Sequence, residues 1–188
     1  KYAPRILTIP STALTAAAYV MMAWRIAYCK VFYPLAYYAA FFSIRASGFS
    51  YVLMCQGREK LEYHLADYKK RMDTLSKKEQ DTLRDMRIVQ EMYARGFEFT
   101  AIDIFKASAR SFQIVDGKLM PSLSSIDGLG EKAADAIVFA AEDGPFLSRE
   151  DFINRTKVTK TVCDLMGELG LLGDLPESNQ LSLFDMVM

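Results

Sequence analysis

Residues Ile126 to Ile137 read Ile-Asp-Gly-Leu-Gly-Glu-Lys-Ala-Ala-Asp-Ala-Ile. Two glycines one residue apart let a main chain turn sharply and come close to a ligand. A helix opening at Lys132, Ala133 and Ala134 would aim its unpaired N–H groups, and the positive end of its dipole, at the same place. An anion such as a phosphate fits that arrangement. Ile126, Leu129 and Ile137 are spaced to pack two helices together. This is the pattern of a helix-hairpin-helix turn, which holds a nucleic-acid backbone without reading its sequence. The competing reading is an ordinary helix corner closed by glycine. The joint fit of hydrophobe, Gly, hydrophobe, Gly, Lys and Ala favours nucleic acid, with Ile126, Gly128, Leu129, Gly130 and Lys132 as the candidate DNA-binding residues.

Other chemistry is sparse. Cys29, Cys55 and Cys163 are scattered without metal-ligand spacing, as expected of reduced thiols in a cytosolic protein. The single histidine, His64, leaves little room for acid–base or metal work and reads as a surface or groove residue. No catalytic residue and no metal ligand is assigned. Net charge is zero, but the halves differ: residues 1–120 carry 18 Lys+Arg and 11 Asp+Glu, residues 121–188 carry 5 and 12. An N-terminal part facing phosphates would look like this. The hairpin lies in the acidic part, so it must bind through local main-chain geometry.

The elements that would position these groups are mainly helical. Ala16 to Lys30 reads as a nearly continuous apolar helix, and Pro34 should start a second, running to about Ala46. Helices apolar all round are buried, which places this pair inside a larger body. Lone charges there are costly to bury, so Arg25 and Lys30 should point to a groove, an acid or a phosphate, or snorkel to solvent. The most apolar run, Val31 to Ile44, is short of the roughly 20 residues a bilayer requires. No membrane span is expected. Glu59 to Asp73 is amphipathic, and Ser76-Lys-Lys-Glu79 is a capping box opening another helix that Gly96 ends. Lys69, Lys70, Arg71, Lys77 and Lys78 read most simply as a solvated face.

From Phe97 to Leu123 the pattern turns strand-like, and Asp116-Gly117 marks a hairpin with arms Gln113 to Val115 and Lys118 to Met120. Asp143-Gly144-Pro145 ends the hairpin's second helix, Ser148-Arg-Glu-Asp151 caps a short helix, and Thr159 to Met166 forms another. Gly167-Glu-Leu-Gly170-Leu-Leu-Gly173 reads as a degenerate second hairpin kept for packing. Leu175 to Asn179 is a polar exit. The expected fold is mainly α with a small β hairpin: a buried helical region over 1–120, a tandem helix-hairpin-helix domain over 121–175, and a tail over 176–188. In that tail Gln180, Leu181, Leu183 and Phe184 have the makings of a peptide anchor. Burying Leu183 and Phe184 offers on the order of 3–6 kcal/mol before ordering costs.

These features together resemble the C-terminal portion of bacterial replicative DNA polymerase III α subunits of the PolC type. The resemblance rests on Ala16-Ala-Ala-Tyr-Val, Arg25-Ile-Ala-Tyr-Cys-Lys-Val and Tyr33-Pro34-Leu35, similar to the family's fingers region. Ser43-Ile-Arg-Ala-Ser47, the hairpin and Gln180 to Phe184 complete it, the last being similar to the family's sliding-clamp peptide. It implies templated DNA synthesis, with Arg25, Lys30 and Arg45 as nucleotide or phosphate contacts and primer-template DNA, the incoming dNTP, the sliding clamp and upstream polymerase domains as partners. It also implies Mg2+ in the complete enzyme, a catalytic palm upstream of this chain, no metal bound by this segment, and a cytoplasmic location. Where the family has Phe-Pro-Lys-Ala-His, this chain has Pro10-Ser-Thr-Ala-Leu-Thr15, so residues 1–15 receive no role. The alternative from another class is a non-enzymatic DNA-binding accessory module with a helix-hairpin-helix and a clamp peptide.

Overall fold

The computed structural model describes residues 4–178. They fall into two compact units, one ending at Tyr38 and one starting at Ala39. The first is dominated by α1 (Pro4–Phe32), followed by the opening of α2 (Pro34–Ile44). The helix expected over 16–30 is thus longer, and Pro34 opens the next one as expected, its missing N–H costing nothing in a first turn. Of the pair expected to be buried, α2 buries Tyr38 and Phe42, whereas α1 is largely exposed among the described residues. Leu14, Tyr19, Trp24 and Val31 of α1 are all more than half exposed, Trp24 at 74%. The reason is one of quantity. A unit of 38 residues made of one long helix and part of another has no second layer with which to cover an all-round apolar helix.

The second unit carries α3 (Tyr51–Met54), α4 (Arg58–Lys70), α5 (Lys77–Ala94), a hairpin of β1 (Gln113–Val115) and β2 (Lys118–Met120), then α6 (Glu131–Glu142), α7 (Arg149–Thr156) and α8 (Lys160–Glu168). The strands pair antiparallel, Ile114 opposite Leu119, around Asp116-Gly117. The rest of the strand-like stretch from Phe97 contributes one parallel bridge, Phe99 to Leu119. The capping box at Ser76 forms in full: Ser76 Oγ accepts from Glu79 N, and the Glu79 carboxylate accepts from Ser76 N. Gly96 follows α5 with a φ of +83°, the left-handed conformation glycine supplies at a helix end.

The hydrophobic core runs across the domain boundary expected at residue 120. Tyr51, Ile102, Ile104 and Met120 cluster with Leu123, Ile126, Ile137, Phe152, Val162 and Met166. A second, aromatic cluster joins Phe42, Phe49, Phe99 and Phe112, with ring centroids 5.0–6.4 Å apart. The corner between α6 and α7 is closed by Arg155, whose guanidinium donates to the carbonyls of Ala140, Gly144 and Pro145 and lies over the Phe146 ring. These are the last carbonyls of α6 and its exit, where a cation is favoured.

The segment after α2 is positioned by close backbone approach. A Cβ on Gly48 would sit 2.3 Å from Thr82 N, so this segment rests directly on the α5 backbone. There Gly48 N donates to Asp85 Oδ2 at 2.8 Å. Asp85 is fully buried, its other oxygen has no hydrogen-bond partner, and burial pushes its carboxyl above the ordinary aspartate range. The expected outcome for Gly48→Ala is a loss of about 3 kcal/mol in chemical denaturation, because the clash is with backbone. Asp85 adds a pH signature. With a raised folded-state pKa, the folded chain holds a proton that the unfolded chain has released, so stability at this site falls as pH rises above about 4. Asp85→Asn keeps an acceptor for Gly48 N and lacks that fall. Its stability relative to the parent should therefore rise between acid and neutral pH, and a pH-independent difference would contradict the burial penalty.

Candidate nucleic-acid interface

The turn from Ile126 to Gly130 follows a single turn of 3-10 helix (Leu123–Ser125) and leads into α6. Gly128 has a φ of +83°, which a side chain rarely adopts. Gly130 is the residue before α6, with φ −73° and ψ 159°, and no side chain caps the helix. Its carbonyl accepts from Ala133 N and Ala134 N, each at 3.0 Å. The N–H groups of Gly130, Glu131 and Lys132 are left without an acceptor among the described residues, as the start of a helix requires. These three donors and the helix dipole make an anion-binding end.

The turn is held from below and from the side. Ile126 and Leu129 are buried in the core, so these two predicted contact residues serve to fix the loop. Gly128, Gly130 and Lys132 are exposed. Asp127 Oδ2 accepts from Ser50 Oγ at 2.8 Å and from Val52 N at 3.2 Å, tying the turn to the start of α3. The acids on the first turns of α6 are engaged too. Arg110 pairs with Glu131 at 3.3 Å and Asp135 at 2.6 Å. Both carboxylates are thereby partly neutralised beside the donors that would meet a phosphate.

A second turn of the same kind appears where the sequence did not point. The run Gly167 to Gly173 does not make it. Gly167 lies within α8, its missing Cβ making room for the Arg149 guanidinium, about 3.0 Å from where that carbon would be. Gly170 and Gly173 take left-handed conformations after α8, and no helix follows among the described residues. The repeat is instead the α7–α8 connection. Each pair of equivalent residues is 29 apart: Lys157 against Gly128, Val158 against Leu129, Thr159 against Gly130, Cys163 against Ala134, Met166 against Ile137. Lys157 is left-handed at φ 58°, and Thr159 precedes α8 with φ −68° and ψ 150°. The Thr159 carbonyl accepts from Val162 N and Cys163 N at 3.1 and 3.0 Å, as Gly130 does in the first copy. Val158, Cys163 and Met166 are buried like their equivalents, and Lys157, Thr159 and Lys160 are exposed. The detectable signal was the buried spacing Val158, Cys163, Met166, not a glycine pair.

The remaining predicted residues are placed separately. Arg25 is exposed on α1, and Lys30 lies over the Tyr37 ring at 5.2 Å. Arg45 is exposed just after α2 and does not line the groove beside the hairpin. Gln180, Leu181, Leu183 and Phe184 lie outside the described residues. The chain leading to them is anchored: Arg149 N and Glu150 N, the first donors of α7, bond to the carbonyls of Pro176 and Glu177. No described helix is long and apolar enough to cross a membrane.

Comparison with known proteins agrees with this geometry. Residues 96–181 match a family model described as a helix-hairpin-helix motif. The chain is 44% identical over 169 residues to the DNA polymerase III PolC-type of Caldanaerobacter subterraneus subsp. tengcongensis. It is 46% identical over 171 residues to that of Staphylococcus epidermidis, and 44% over 172 to that of Streptococcus suis. These alignments cover 90–91% of this chain and 12% of each relative, so the chain spans about an eighth of their length.

The two glycines separate conformation from approach. Gly128→Val should cost stability, because a β-branched residue is forced to positive φ against Val162, whereas Gly128→Asn should be tolerated. At Gly130 a Cβ meets nothing within 4 Å. Gly130→Val should cost less than about 1 kcal/mol of folding stability yet weaken duplex DNA binding severalfold, read by fluorescence anisotropy. Unchanged binding in Gly130→Val would mean that nothing approaches the turn closely.

Proposed function

The chain belongs to the DNA polymerase III PolC-type family, and we propose that it forms the part of such a polymerase that grips product duplex and carries the tether to the sliding clamp. The observation that carries this reading is the Gly128–Gly130 turn, with three unpaired N–H donors at the start of α6. Main-chain donors contact phosphates without reading bases, which suits an enzyme that must hold any sequence it has copied. The second turn, with Lys157, the Thr159 hydroxyl and Lys160, offers an equivalent hold on the same backbone.

In the complete polymerase, the primer 3′ hydroxyl attacks the α-phosphate of the incoming dNTP and pyrophosphate leaves, with Mg2+ supplying charge stabilisation. The carboxylates that would hold that metal are proposed to belong to a palm in the upstream polymerase domains, and this segment is given no step of that chemistry. Its own part is to bind and orient. Arg25, Lys30 and Arg45 are proposed to face the nucleotide or template phosphates, and upstream polymerase domains are proposed to cover the apolar surface of α1. A cytoplasmic location follows from the same reading.

Duplex affinity of the full-length protein should fall steeply with salt, and Lys132→Ala should make the slope of log Kd against log salt shallower by about one. Affinity insensitive to salt would sink the phosphate grip. For the tail, Leu183→Ala with Phe184→Ala should abolish capture of the sliding clamp in a pull-down while primer extension without clamp stays near normal; undiminished capture would remove the tether. Arg25→Ala should raise KM for dNTP in steady-state extension, and an unaltered KM would take Arg25 away from the nucleotide.

A further inference from the structure

The hairpin is not alone on its groove. A cavity of about 640 Å³ is lined on one side by Asp127, Gly128 and Gly130 and on the other by Tyr68 of α4 and Lys78 and Glu79 of α5. The hairpin side is acidic: residues 126–143 hold five acids, with Lys132 as the one base. The facing tip of α4 and α5 is the reverse. Residues 69–78 hold Lys69, Lys70, Arg71, Lys77 and Lys78 against Asp73.

The ion pairs at this tip are distributed unevenly. Arg71 takes the nearby carboxylates, reaching Asp67 at 2.8 Å and Glu79 at 3.5 Å, and lies over the Tyr68 ring at 5.2 Å. Glu79 is further held by Ser76, and across the groove Asp127 is held by Ser50 and Val52. Lys69, Lys70, Lys77 and Lys78 are exposed and make no ion pair among the described residues. Had these lysines been a merely solvated face, Asp67 and Glu79 stood within the same turns to pair with them. Instead one arginine occupies both acids, and four ammonium groups stand without an ion pair at this tip, Lys78 among them lining the groove opposite a turn that offers main-chain donors but little positive charge.

We propose that the α4–α5 tip is a second phosphate-contact surface, whose lysines hold the DNA backbone that lies against the Gly128–Gly130 hairpin. This deepens the duplex-grip reading and rests on it. The division is physical: the hairpin supplies oriented donors at short range, and the lysines supply the counterion release that makes up most non-specific affinity.

The experiment compares full-length protein carrying Lys69→Ala, Lys70→Ala, Lys77→Ala and Lys78→Ala with a Gly130→Val variant and the parent. Each is titrated with fluorescein-labelled duplex DNA over a range of salt, with thermal unfolding as a control for folding. The quadruple variant should bind at least tenfold more weakly at low salt. Its slope of log Kd against log salt should be shallower by about two or more, about one for each phosphate no longer neutralised. Returning arginine at positions 77 and 78 should restore most of the affinity. If the lysine variant keeps the parent's affinity and slope while Gly130→Val loses affinity, the tip is a solvated face and the hairpin grip stands. If the lysine variant weakens and Gly130→Val does not, the hairpin grip fails, and with it the shared groove.

Discussion

The position of the hairpin depends on a short relay that begins at a buried carboxylate. Asp85, inside α5, receives the Gly48 N–H, and the absence of a side chain at Gly48 lets that segment lie against the helix backbone. Two residues on, Ser50 caps α3 and donates to Asp127 in the turn itself. Each link is a hydrogen bond worth only about 1 kcal/mol net, but their geometry is cumulative. A turn whose usefulness lies in where three N–H groups point cannot be allowed to rock. The core beneath, through Ile126 and Leu129, fixes its depth, and the relay fixes its rotation.

This dependence explains an apparent conflict of charge. The hairpin lies in the acidic half of the chain, yet its work is with an anion. The conflict is resolved locally, because Asp127 is engaged by Ser50 and Val52, and Glu131 and Asp135 are engaged by Arg110. What then faces outward is a set of backbone dipoles. Those act over a few ångströms, within the screening length of physiological salt, so the acidic residues farther along α6 weigh little on the interaction.

Much of this was legible in the sequence where local chemistry leaves one answer. Asp116-Gly117 fixed the strand arms to the residue, Ser76 and Glu79 fixed a helix start, and the Gly-Leu-Gly-Glu-Lys-Ala run located the first hairpin. The second hairpin was missed because its left-handed position carries Lys157 rather than glycine. A non-glycine residue tolerates that conformation at a cost the surrounding structure can carry, so glycine spacing drew attention to residues 167–173 instead. There the glycines answer other needs: Gly167 admits the Arg149 side chain, and Gly170 closes α8. The core crossing residue 120 was likewise invisible, since Tyr51 and Ile102 meet Ile126 only through tertiary packing.

The repeat at an offset of 29 residues also says what a second copy must keep. Val158, Cys163 and Met166 preserve the buried positions, and the carbonyl of Thr159 preserves the first-turn hydrogen bonds, while both glycines are gone. A shared core alone would demand the buried set and nothing about the turn. Yet the turn retains its backbone shape with residues of which Lys157 must adopt it against its preference, and it replaces the two glycines with a lysine and a hydroxyl, and Glu131 with Lys160. A turn freed from close approach can carry side chains that reach outward. The first hairpin therefore suits binding at the main chain, the second binding at side-chain length, and the two together suit a backbone that lies nearer one than the other.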